Sequence, residues 1–391
     1  MNNFEAMYYI QNIYIENFKD IKSVQIEGLP NLSKWIFLTG ENGFGKSVFL
    51  QAIATALNPI DNVINDSLEA SDGLFKTTVS LHTGDIFGVS YTGNKLVFRD
   101  LSNFKYLCCY GSSRLLMHSE NDKTEKTVQG SDMGRLFYTQ TYLRNIEFDL
   151  LRWRLKVDST AIAEKERQFI RERLDNVIEL LKDIMNLSEI RIDISNDKVL
   201  YSEKGSQNEA LQFFPKEKLG SGYKAILGFV GDMIIRFFYL QPLSKSTYEF
   251  VGIVLIDEIE LHLHPKWQKM LPGLLSKYFP RIQFIASTHS PLPLLGAPET
   301  SVFFKVSRNL EKGIFVERLP KLERDIKYLL PNSIFTSDIF DLEDIESNQN
   351  PEDDEVISED DYKEIEINEE IKDRLNKLDE NIFPEKLFED N

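Results

Sequence analysis

Apolar and polar residues alternate in a strand-like way from Tyr8 to Leu38, and the pattern ends in the apolar run Trp35-Ile36-Phe37-Leu38. A glycine-rich turn follows, then a helical stretch from Lys46 to Leu57 that stops near Asn58-Pro59. Residues 74–110 read as short strands with turns at Thr83-Gly84 and Gly93-Asn94. Residues 117–132 are polar and predict a loop, whereas 135–186 carry apolar spacings of three and four and predict helix with charged faces. Strand character returns over 188–202, and 206–218 lead into Gly220-Ser221-Gly222, which opens another helix. Strand 251–256, helix 264–278 and strand 281–287 then alternate as in a parallel sheet. A strand pair, 301–306 and 313–317, comes after them, and no internal repeat is visible.

Charge divides the chain. The 391 residues carry a net charge of −17, and 338–391 hold 22 acidic against 5 basic residues, a net of −17 by themselves. Residues 1–337 therefore balance at 40 acidic against 40 basic, which leaves the body free of any global bias against a polyanion. The acidic segment is too poor in apolar residues to build a core and predicts a mostly flexible tail, with short helices around 363–380 at best.

No stretch of about 18 uncharged apolar residues is present, so no bilayer span is expected. Ala225 to Leu240 is interrupted by Asp232 and Arg236 and reads as a buried amphipathic helix. No secretory leader is visible, and a cytoplasmic location is expected. The two cysteines, Cys108 and Cys109, are adjacent; a disulfide between them would be strained, which suits a reducing compartment. With no CxxC pair, a zinc ribbon or finger is excluded.

Residues 40–47, Gly40-Glu41-Asn42-Gly43-Phe44-Gly45-Lys46-Ser47, fit G-x-x-x-x-G-K-[ST] at every fixed position, with a strand before and a helix after. Glycines let backbone N–H groups turn around phosphate oxygens, and the helix start adds its positive dipole end. Lys46 is expected to reach the β- and γ-phosphates of ATP and Ser47 to hold Mg2+. A second element, Ile253-Val254-Leu255-Ile256-Asp257-Glu258, is an apolar strand that ends in two carboxylates, where ligands of parallel sheets gather. Asp257 is expected in the Mg2+ shell and Glu258 at the attacking water, with strand alternation pointing the two acids different ways.

Two further strings complete an ordered set. Leu219-Gly220-Ser221-Gly222-Tyr223 precedes Ile256-Asp257-Glu258-Ile259-Glu260-Leu261-His262-Leu263-His264-Pro265, and Ala286-Ser287-Thr288-His289-Ser290-Pro291 follows it. The set resembles the ABC-type ATPase heads of the RecF and OLD group over about 1–115 and 216–300, and Ile15-Glu16-Asn17-Phe18-Lys19 is similar to their opening strands.

That resemblance implies an α/β P-loop head with a mixed or parallel core sheet, an antiparallel β subdomain and a helical insertion. The boundaries would be 1–115 with 216–337 for the head, 116–215 for the insertion and 338–391 for the tail. It also implies a homodimer or higher homo-oligomer, in which Ser221 and Gly222 cap the γ-phosphate of ATP held by the other copy and His289 senses hydrolysis. Gly220 stands where the family commonly has serine. The family's bridging glutamine has no evident counterpart: Tyr110-Gly111-Ser112-Ser113-Arg114 occupies its place without one, and Gln140 is a weak candidate.

The insertion carries Arg144, Arg152, Arg154, Lys156, Lys165, Arg167, Arg171 and Arg173 interleaved with Glu147, Asp149, Glu164, Glu166 and Glu172. A DNA-contacting face and a solvated helix with internal ion pairs both fit this pattern. OLD proteins carry a Toprim nuclease after the switch histidine; no such acid arrangement is found here, so no built-in nuclease is expected. Gly222-Tyr223-Lys224 and Phe335-Thr336-Ser337-Asp338-Ile339-Phe340 resemble the ATPase subunits of anti-phage systems such as Septu, which implies an effector partner such as an HNH nuclease. The alternatives are a RecF-like repair ATPase that binds DNA itself and, less favoured, a transporter's nucleotide-binding subunit.

Overall fold

A strand covered on both faces needs apolar side chains at every position. Four segments, apolar for most of their length, are buried residue by residue: Trp35–Thr39, Leu107–Tyr110, Gly252–Ile256 and Ile282–Ser287. In the computed structural model the described residues are 7–59, 74–92, 95–98, 103–112, 134–137, 143–204, 212–309 and 311–329. All lie in one unit, Met1–Asp341. The acidic tail, Arg114, Gln140 and the turn at Gly93-Asn94 fall outside them.

In chain order the strands are β1 (Ile10–Phe18), β2 (Ile21–Ile26), β3 (Trp35–Thr39), β4 (Phe75–Leu81), β5 (Ile86–Thr92), β6 (Lys95–Phe98), β7 (Leu107–Tyr110), β8 (Leu187–Asp193), β9 (Lys198–Glu203), β10 (Phe214–Pro215), β11 (Gly252–Ile256), β12 (Ile282–Ser287), β13 (Val302–Asn309) and β14 (Gly313–Arg318). The longer helices are α1 (Lys46–Leu57), α2 (Ile146–Asp158), α3 (Glu164–Ile184), α4 (Ser221–Leu240) and α5 (Pro265–Tyr278).

Eleven strands form one sheet in the order β6-β5-β4-β1-β2-β14-β13-β3-β12-β11-β7. From β13 to β7 every pair is parallel. From β6 to β13 the pairs are antiparallel. The antiparallel strands thus extend the core sheet itself. A second sheet, β10-β9-β8, is antiparallel and belongs to the insertion.

Alternation sorts side chains onto two cores. Ile36, Leu38, Ile253 and Leu255 join α1 on one face, while Trp35, Phe37, Val254 and Ile256 join α2, α3 and α4 on the other. Cys108 and Cys109 split the same way, both free and buried, which pushes their thiols up and keeps them inert.

The helical run expected over 135–186 breaks between α2 and α3. Asn145 caps α2 by accepting from Glu147 N at 3.1 Å. After Asp158 the Ser159 hydroxyl accepts from Ala161 N at 3.3 Å. Such short polar side chains offer the backbone a partner outside the helix ladder, and the chain turns there. α3 then buries Ile170, Leu174, Val177, Leu181 and Ile184 along one stripe. No helix among the described residues is long and apolar enough to cross a membrane.

Candidate functional site

The loop between β3 and α1 is built around positive backbone angles: Gly40 has φ +132°, Gly43 +80° and Gly45 +97°. Space adds a second requirement at two of them. A Cβ on Gly40 would lie 2.3 Å from the Val306 carbonyl of β13, and one on Gly45 would lie 2.2 Å from Ile314 Cδ1 of β14. Gly45 caps α1 with no side-chain acceptor, and the first turn of α1 carries no acid. Its N–H groups and positive dipole end are therefore available to an anion.

Glu41, Asn42 and Gly43 are exposed, Phe44 and Ser47 half-buried, and Lys46 buried. The Lys46 ammonium donates to the carbonyls of Gly40 at 2.6 Å and Glu41 at 2.7 Å, which account for two of its three N–H groups. Burial lowers its pKa to about 8, against the raising pull of Asp257, Glu260, Glu258 and Glu41.

The acid strand lies two places from β3 in the sheet, with β12 between them. This order brings Ser47 and Asp257 together, 210 positions apart in sequence, with Ser47 Oγ donating to Asp257 Oδ2 at 2.6 Å. Asp257 Oδ1 accepts from Ser287 Oγ at 2.5 Å, and that hydroxyl in turn accepts from Glu258 N at 2.7 Å. Hydroxyl and carboxylate oxygens are the hard donors that suit Mg2+ together with phosphate oxygens, so the pair fits the expected ion.

The two acids separate for a different reason from the one expected. β11 ends at Ile256, before either acid, so strand alternation does not apply to them. Glu258 instead sits in the left-handed region at φ 52°, a conformation that costs a non-glycine residue free energy. This turn leaves Asp257 buried against Ser47 while Glu258 stays one-third exposed beside His289, whose Nε2 is 3.9 Å from Glu258 Oε1.

Residues with no assigned role in the sequence reading also join the site. Ser287 bridges both acids, and Glu260 Oε1 accepts from His289 N at 2.5 Å. Ser290 Oγ donates to Gln268 Oε1 at 2.8 Å. Ser287 and Glu260 lie inside the diagnostic strings, but only the pairing of β11 with β12 shows what they touch.

In the segment 219–223 Leu219 is buried and Gly222 and Tyr223 are half-buried. Gly220 and Ser221 are exposed, and α4 begins there with neither a side-chain cap nor an acid in its first turn. Tyr223 packs edge-on against Trp267 of α5, with ring centroids 5.9 Å apart.

Two carboxylates anchor the elements on either side of this turn. Asp232, fully buried on α4, accepts from Tyr110 OH at 2.9 Å, Arg135 Nη1 at 2.7 Å, Arg144 N at 2.7 Å and Arg236 Nε at 2.6 Å. Glu147, near the start of α2, pairs with Lys216 at 2.8 Å and accepts from Tyr201 OH at 2.9 Å. One carboxylate thus fixes α4 to the sheet edge, and the other fixes the approach to Leu219 to the insertion.

Comparison with known proteins finds similarity over parts of the chain. Residues 140–294 match the family model described as "AAA domain, putative AbiEii toxin, Type IV TA system". The Septu protein PtuA of Bacillus mycoides (strain KBAB4) is 27% identical over 345 residues, covering 84% of this chain and 45% of that protein. The Retron Vc95 probable ATPase of Vibrio cholerae serotype O1 biovar El Tor is 50% identical over 76 residues, covering 19% of this chain and 15% of that one. The chain therefore spans less than half the length of these two relatives. Among solved structures, the Smc head domain of Pyrococcus furiosus with an extended coiled coil matches with a TM-score of 0.47 at 15% identity, covering 80% of this chain and 96% of that one. The phosphate loop, the acid pair and the glycine turn before α4 stand in one chain that is similar in sequence to these proteins. The chain is thus similar in sequence to an AAA-domain family over 140–294 and to Septu and retron proteins.

Proposed function

We propose that this chain hydrolyses ATP between two copies of itself, and that the joining and parting of the copies controls an effector acting on nucleic acid. The observation that carries the reading is the contact of Ser47 with Asp257 at 2.6 Å, which joins the phosphate loop to the acid strand.

In this reading the loop 40–47 and the start of α1 grip the phosphates, with Lys46 against the β- and γ-groups. Ser47 and Asp257 would hold Mg2+, which would supply positive charge against the phosphate oxygens. Glu258 orients the attacking water and accepts hydrogen bonds from it, and His289 lies beside it to contact the γ-phosphate. The N-terminus of α4, with Ser221 and Gly222, closes on the nucleotide of the other copy, because unclaimed N–H groups at a helix start attract an anion. The sequence similarity to Septu and retron proteins supports an effector partner in defence, an HNH nuclease being the expected kind.

The test is Glu258→Gln against Lys46→Ala, followed by light scattering and turnover with ATP and Mg2+. Glu258→Gln is expected to stop turnover and accumulate an ATP-bound dimer. Lys46→Ala is expected to lose both nucleotide and dimer. A Glu258→Gln protein that stays monomeric in saturating ATP would overturn the two-copy site.

A further inference from the structure

The turn that carries the acids is itself held in place. Glu258 at φ 52° and His262 at φ 62° put two left-handed non-glycine residues within five positions. Two tight turns follow one another, with Leu261 N donating to Glu258 O and Leu263 N to Glu260 O, each at 3.0 Å. A backbone strained in this way persists only where its surroundings over-determine it.

Three connections tie the turn to the end of β12. Ser287 Oγ accepts from Glu258 N at 2.7 Å, Ser287 O accepts from Ile259 N at 3.0 Å, and Glu260 Oε1 accepts from His289 N at 2.5 Å. The first two end at Ser287; only the third reaches His289. Glu260 and His289 lie 29 positions apart in sequence, so nothing local holds them together. The second oxygen, Oε2, is buried with no hydrogen-bond partner among the described residues. Burying half a carboxylate without a partner costs free energy, so the other half must be held by a strong contact.

We infer that Glu260 is a positioning residue of the hydrolytic site, its carboxylate holding the His289 backbone so that the imidazole stays beside Glu258. The inference rests on the ATPase reading and deepens it. It assigns the third acid of Asp257-Glu258-Ile259-Glu260 to the switch histidine, separate from the metal and from the water.

A hydrogen bond that places a reacting group shows in turnover, whereas the Glu260 charge also acts on Lys46, so the two effects are separated by comparing the Ala and Gln variants. Glu260→Ala should lower kcat about tenfold or more relative to Glu260→Gln while the two variants, which lose the same charge near Lys46, keep KM for ATP within about twofold of each other, the pattern of a contact that matters in the transition state. Glu260→Gln keeps an oxygen acceptor for the His289 N–H and should recover most of that loss. Two residues acting through one group are non-additive, so Glu260→Ala combined with His289→Ala should turn over no more slowly than His289→Ala alone.

The assay is steady-state phosphate release by the full chain with ATP and Mg2+, with thermal melts confirming that each variant folds. Unchanged kcat in Glu260→Ala overturns the inference, as do equal losses in the Ala and Gln variants or additive losses in the double variant. If Lys46→Ala hydrolyses ATP as well as the unaltered chain, the ATPase reading fails instead. That result is distinct from a Glu260 failure measured against an active wild-type protein.

Discussion

The two halves of the proposed nucleotide site are built in opposite ways. The loop 40–47 and the acid turn 257–260 are closed on themselves: Lys46 bonds to its own loop, Ser47 to Asp257, Asp257 to Ser287 and Glu260 to His289. The turn 219–223 has the reverse design, with Gly220 and Ser221 exposed and the elements on either side anchored through Asp232 on α4 and Glu147 on α2. One half is complete within the chain, whereas the other offers unclaimed N–H groups to something outside it. A surface made to meet a second copy needs anchored flanks and exposed residues, and Gly220-Ser221 has both.

The largest way to break this comparison is to remove the anchor on α4. Asp232→Ala deletes the buried acceptor of Arg135, Arg236, Tyr110 and the Arg144 amide at once. A loss of about 3–5 kcal/mol in a denaturant melt is expected, the range for breaking a buried charge network.

Altering the turn itself should do the opposite. A side chain at Gly222 has room, because its Cβ would meet nothing nearer than Trp267 Cδ1 at 3.9 Å. Gly222→Asp should leave the melting temperature within about 2 °C of the unaltered chain, as for a surface substitution. It should abolish the ATP-dependent dimer in light scattering, because the new carboxylate repels phosphate.

The closed half has its own handle in pH. Burial holds Lys46 at about 8 in the free protein, against the pull of Asp257, Glu260, Glu258 and Glu41. Below that value the ammonium is already protonated when phosphate arrives; above it, binding must first take up a proton. Affinity for ATP should therefore fall as pH rises through about 8, by up to tenfold per pH unit, in a nucleotide-binding titration at constant salt.

The smallest effect is expected at the second anchor. Glu147→Gln keeps an acceptor for Tyr201 but removes the charge facing Lys216, and these two side chains are 13% and 17% exposed. A stability loss of about 1 kcal/mol or less is expected, close to the value of a partly solvated pair. A larger fall in ATP-driven dimerisation than in stability would tie the insertion to the turn.

Sequence and structure divide along a physical line. The phosphate loop, the acid pair, the glycine turn and the doubly buried strands were legible in the sequence, because each depends on neighbours in the chain. Glycines answer for positive φ, apolar runs for strands covered on both faces, and a basic residue followed by a hydroxyl for phosphate and its cation. Tertiary structure alone decided which of these strings meet. It set β12 between β3 and β11, put Ser47 on Asp257 across 210 positions, and gave Glu258 a left-handed backbone where strand alternation was expected. It also gave Ser287, Glu260 and Asp232 their partners. Sheet order and the packing of distant strands select such contacts, and no local pattern of residues carries that information.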